Sequence, residues 1–107
     1  MGAIHLIKND PGLPSIKPIQ PGSEIYRSGY WTIAEDTAAK LIDGKIYFHE
    51  KQVASSFFGG IIKEAKLVRE GQYDGVVFTF KRDPACIGVK TSQDGWSQEM
   101  KIILEQE

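Results

Sequence analysis

The chain predicts an α+β fold that is mainly β: a small bent, mostly antiparallel sheet or a barrel, carrying one capped helix over about residues 33–43. Three observations carry this. Short apolar runs rich in β-branched and aromatic residues recur along the sequence, separated by Gly, Pro, Asn and Asp turn signals. Only one stretch, after Trp31, changes to helical spacing. After that stretch the strands follow one another through short turns, which antiparallel pairs permit. The glycines at 29, 59 and 60 fall inside strand patterns, where they mark bends or bulges and favour a strongly curved sheet.

Ala3 to Ile7 reads as a first or edge strand, ended by Asn9-Asp10-Pro11-Gly12. Residues 11–22 hold four of the five prolines, Pro11, Pro14, Pro18 and Pro21. Proline lacks the ladder donor, so helix and central strand are excluded there and an extended surface loop is expected. Residues 23–31 (SEIYRSGYW) are β-prone, with Gly29 as a bulge point. Thr32-Ile33-Ala34-Glu35 matches a capping box, in which the Thr32 hydroxyl would accept from the amide three residues on. Ala34, Ala38, Leu41 and Ile42 then share one helical face, and Gly44 stands where a helix-ending glycine belongs.

Residues 45–49 (KIYFH) and 57–68 form the next two strands, the second loosened at its entry by Gly59-Gly60. Residues 70–75 make a turn, and 76–81 (VVFTFK) give the cleanest strand, with Val76, Phe78 and Phe80 on one side. A brief strand is expected at 87–90, and 100–104 (MKIIL) closes the sheet. The 107 residues make one domain, 1–107, able to bury a single core.

The net charge of −1 argues against a protein that coats long nucleic acid through phosphate contacts, but not against recognition of one base or a short single strand. Cys86 is the only cysteine, so an internal disulfide and a CxxC site are both excluded. No apolar run approaches a membrane span, and the amino-terminal run is too short for a signal peptide, so a cytoplasmic protein with no membrane role is expected.

His5 and His49 are the only histidines, and no HxxxH or HExxH spacing exists. A His5/His49/Cys86 metal site would need three strands to converge, so no metal and no cofactor is expected. Ser55-Ser56 lack a GxSxG frame, which removes the hydrolase elbow. A Cys86/His49 nucleophile pair is weighed against an inert buried thiol, and the inert thiol is preferred. No residue is assigned a catalytic role.

Residues 45–68 concentrate His49, Ser55, Ser56, Phe57 and Phe58 beside two glycines, the composition of a ligand pocket. The order of strand, capped helix ending in glycine, KIYFH strand and glycine-entered FFGGIIKEAKLV strand resembles the PUA-like β-barrels, which include ASCH and EVE domains, over roughly residues 25–104. That resemblance implies a cleft beside the helix for RNA, a modified DNA base or, in some ASCH-like cases, hydrolysis of nucleoside amides.

The resulting expectation is a binding module for a nucleobase- or nucleotide-like ligand, or for a modified base in RNA or DNA, held between the helix amino terminus and the hairpin. Trp31, Phe57 and Trp96 would stack on the ring. His49, Ser55, Ser56 and Gln98 would read its polar edges, and Arg27 and Lys51 would meet phosphate. The alternatives are a small ASCH-like hydrolase using Lys51, Glu99 or His49 for proton transfer, and an interaction adaptor with exposed aromatics.

Overall fold

The structure is a computed structural model that describes residues 2–7, 16–71, 73–92, 94–96 and 100–104. One seven-stranded sheet forms the body: β1 (Gly2–Ile7), β2 (Ile16–Pro18), β3 (Ile25–Trp31), β4 (Lys45–His49), β5 (Ser56–Glu70), β6 (Tyr73–Arg82) and β7 (Met100–Leu104). Its order is β2-β3-β6-β5-β4-β1-β7, so β2 and β7 are the two edges and the sheet stays open rather than closing into a barrel. All recorded pairs are antiparallel except β1 with β4, which run parallel. The strand expected first or at an edge thus lies between β4 and β7.

Side-chain alternation divides the sheet into two faces. The core face carries Ile4 and Leu6 of β1, Ile46 and Phe48 of β4, Ile62 of β5, and Val76, Phe78 and Phe80 of β6, all buried. Register keeps them together: Ile4 is opposite Ile46, Leu6 opposite Phe48, and Ile62 opposite Phe80. Phe58 packs edge-on to Phe80 with centroids 5.9 Å apart, so of the two adjacent phenylalanines it is Phe58 that enters the core. Phe57 is 41% exposed.

The helix, α1, spans Glu35–Lys40 and is shorter than the 33–43 expected. Its N-cap is Ala34, which offers no side-chain oxygen, and Thr32 is exposed. The first-turn amide of Thr37 is met instead by Asp36 Oδ1 at 3.0 Å. Packing overrides the capping box: Ala38 and Leu41 must reach the core cluster, and that fixes where the helix can begin. The left-handed residue after the helix is Asp43, at φ 71°, rather than Gly44. Gly44 is needed for a different reason. A Cβ there would lie 2.2 Å from the backbone oxygen of Gly2, where β1 crosses against it.

The double glycine of β5 also reflects close approach. A Cβ on Gly59 would meet Ile46 O at 2.2 Å, and one on Gly60 would meet Lys81 O at 2.0 Å. Both glycines hold ladder positions, opposite Tyr47 and Ile46, and the register shifts lie on either side of them, between Phe48 and His49 and between Ile62 and Glu64. In β3 the shift falls between Ser28 and Trp31, at the expected Gly29. Residues 87–90 form no strand. A short 3-10 turn, Pro84–Cys86, precedes them, and the backbone at 88–89 binds that of Ser56. Among the described residues no helix is long and apolar enough to cross a membrane.

Candidate functional site

The face opposite the core carries a cluster of unlike groups at the β4–β1–β7 end. Parallel pairing sets His5 beside Tyr47, and antiparallel pairing sets it beside Lys101, so the three form one cross-strand row. The two-residue repeat of β4 adds His49 to the same face as Tyr47. His5 is 3% exposed, His49 is fully buried and Lys101 is 7% exposed. This is the most polar buried cluster of the described residues.

His5 Nδ1 lies 2.8 Å from His49 Nε2, and His49 Nδ1 lies 2.9 Å from the carbonyl oxygen of Ala54. Tyr47 stacks on His5 at a centroid distance of 4.5 Å and an interplanar angle of 13°. Burial, first, and then the positive potentials of His49 and Lys101 lower the His5 pKa from 6.5 to about 4, so this imidazole is neutral at pH 7. Burial also raises the Tyr47 phenol above its ordinary value, with Cys86 and Asp83 adding to the effect, which keeps it protonated.

Lys101 fastens a loop over this row. Its ammonium donates to Thr91 Oγ1 at 2.8 Å, to Ser92 O at 2.8 Å and to Ser92 Oγ at 3.1 Å. Its aliphatic stem lies beneath Gly95, whose absent Cβ would sit 3.5 Å from Lys101 Cε. Gly95 turns the chain at φ 88°, a conformation that costs a side-chain-bearing residue free energy, and so presents Trp96. The Trp96 ring stands edge-on to both imidazoles, at centroid distances of 6.2 Å from His5 and 5.7 Å from His49. Its Nε1–H is buried and has no acceptor among the described residues. An orphaned buried donor costs about 1–3 kcal/mol, so this one needs an explanation.

Of the residues expected to bind a ligand, His49 and Trp96 meet here. Ser56 is close in the ladder, opposite His49, but its hydroxyl is committed: it donates to Cys86 O at 2.6 Å and accepts from Val89 N at 2.9 Å. Ser55 is half-buried beside it, and Lys51 is exposed in the β4–β5 turn. Arg27 and Trp31 lie on β3, separated from β4 by the whole of β6 and β5. Trp31 donates its Nε1–H to Ser28 Oγ at 3.1 Å and packs on the core edge. Gln98 and Glu99 lie outside the described residues. The helix covers the core face, so the cleft expected beside it is not where His49 and Trp96 converge.

His5, Tyr47 and Lys101 were not anticipated as site members. Each is a polar-tipped residue inside an apolar strand, and that is the signal that marks them: GAIHLI buries His5, MKIIL buries Lys101, and KIYFH half-buries Tyr47. Among the described residues no three His, Cys, Asp or Glu side chains cluster as metal ligands. Cys86 Sγ turns to Gly60 O at 3.7 Å, and burial followed by the Asp83 charge pushes its thiol pKa up against the opposing pull of Lys45. Comparisons with protein-family models, with curated proteins and with solved structures find no match for this chain.

Proposed function

We propose that the chain is a small binding module that takes one planar, base-like ring at the Trp96 end of the sheet, as a free nucleoside or as a base displaced from a nucleic acid. The buried indole N–H of Trp96, without an acceptor among the described residues and set beside the His5–His49 pair, carries this reading. A closed core has no use for such a donor, whereas a ligand carbonyl would satisfy it. The surrounding groups suit the polar edge of a flat heterocycle: Trp96 offers its N–H, and His5 its second ring nitrogen, Nε2, beyond the one that faces His49. Lys101 ties Thr91 and Ser92 to the sheet, and Trp96 lies outside the core cluster. The net charge of −1 favours one ring over a long phosphate backbone. The element order shared with PUA-like domains adds to the reading, although an open sheet departs from their closed barrel. Of the residues named for the hydrolase alternative, Lys51 is exposed in the β4–β5 turn, Glu99 lies outside the described residues, and both ring nitrogens of His49 are engaged, with His5 and with Ala54 O.

Isothermal titration calorimetry with uridine, inosine, cytidine and adenosine tests this. At least one should bind, and Trp96→Ala should weaken that binding by about 0.5–1.5 kcal/mol, the range for one hydrogen bond. A panel with no binding, or binding that Trp96→Ala leaves unchanged, overturns the proposal.

A further inference from the structure

The direction of the hydrogen bonds through the imidazole pair says which edge of a ring the site would accept; this step rests on the base-binding reading. A carbonyl oxygen only accepts, so the contact with Ala54 O requires a proton on His49 Nδ1. With that single proton on His49, its lone pair falls on Nε2 and accepts from His5 Nδ1–H. Neutral His5 in turn carries its lone pair on Nε2. The three groups form one relay whose open end among the described residues, an acceptor, is His5 Nε2. The neighbouring ring, Trp96, contributes the opposite function, an unsatisfied N–H donor.

We propose that the site selects a lactam edge, a ring N–H adjacent to a C=O, with the N–H donated to His5 Nε2 and the carbonyl accepting from Trp96 Nε1. Uridine and inosine present this edge. Cytidine and adenosine do not: their donor is an exocyclic amine and their acceptor the ring nitrogen beside it, so they would meet His5 Nε2 and Trp96 Nε1 only with the ring displaced. Lys101 contributes by position: its three bonds to Thr91 and Ser92 keep Trp96 over the pair, and the ammonium sits beside His5 and opposes protonation of that ring.

The decisive comparison is uridine against 3-methyluridine, which keeps the ring and both carbonyls but lacks the N–H. Calorimetry at pH 7 should give uridine and inosine affinities at least about tenfold tighter than 3-methyluridine, cytidine and adenosine, since one hydrogen bond is worth about that factor. Trp96→Phe keeps the ring and removes the donor, and should weaken uridine about tenfold with little change in the urea midpoint. Equal binding of uridine and 3-methyluridine, or tighter binding of cytidine or adenosine, overturns the lactam assignment while leaving the base-binding reading standing. No binding by any of the five nucleosides overturns both.

Discussion

Acidification should destabilise this protein in part through His5, and the size of that part follows from its surroundings. Between the ordinary value of 6.5 and the folded value of about 4, the unfolded chain takes up a proton that the folded chain refuses. The contribution of His5 is therefore intact above pH 6.5, falls as the pH drops through that window, and stops changing below about 4. A gap of about 2.5 pH units at 1.36 kcal/mol each gives about 3 kcal/mol lost by pH 4. The groups facing His5 act in the same direction: His49 and Lys101 add positive potential, and Tyr47 and Trp96 exclude water. Urea unfolding of wild type and His5→Gln at pH 7, 5.5 and 4 isolates the term, because the carboxylates titrate equally in both. The wild type should lose about 3 kcal/mol more than the variant over this range, with the difference growing most steeply between pH 6 and 4.5. Parallel acid profiles for the two proteins would refute the argument that a buried neutral His5 is held by this cluster.

Thr32→Ala should leave stability within about 0.5 kcal/mol, since Thr32 is exposed and caps nothing, whereas Ala34→Asp should add about 1 kcal/mol by supplying the missing cap oxygen; urea midpoints check both. Phe78→Ala should cost about 3–5 kcal/mol and Phe57→Ala under about 1 kcal/mol by the same assay, because Phe78 is fully buried and Phe57 is 41% exposed. Cys86 in the native protein should resist a thiol reagent at pH 7 and react rapidly once unfolded in urea, since burial disfavours its thiolate.

The sequence made most of the strands legible because their signals are local. The alternation of Val76, Phe78 and Phe80 does not depend on distant contacts, although the turn expected over 70–75 narrows to the break between Glu70 of β5 and Tyr73 of β6, because the two strands pair up to those residues. The helix boundary was less legible: the capping box is a real local preference, but six helical residues gain more from burying Ala38 and Leu41 than from one cap. The candidate site was only half visible. His49 and Trp96 stood out by residue type, but His5 and Lys101 come to them through the register of β1 with β4 and of β7 with β1. A parallel pair between the first and fourth strands leaves no short-range trace, so a lone His in GAIHLI reads as a strand-end residue until its neighbours are known. Trp31 was grouped with the site on aromaticity alone, and the strand order carries it to the far side of the sheet.

The proposed docking point is the indole N–H of Trp96, buried and without an acceptor among the described residues. A two-dimensional 1H–15N spectrum of the indole region reads this directly, since the chain has two tryptophans and Trp31→Phe assigns the pair. Adding uridine should move the Trp96 Nε1–H resonance progressively downfield as it gains an acceptor, while Trp31, already bonded to Ser28 Oγ, stays in place. A Trp96 resonance that does not move at saturating uridine, inosine, cytidine and adenosine would contradict the account.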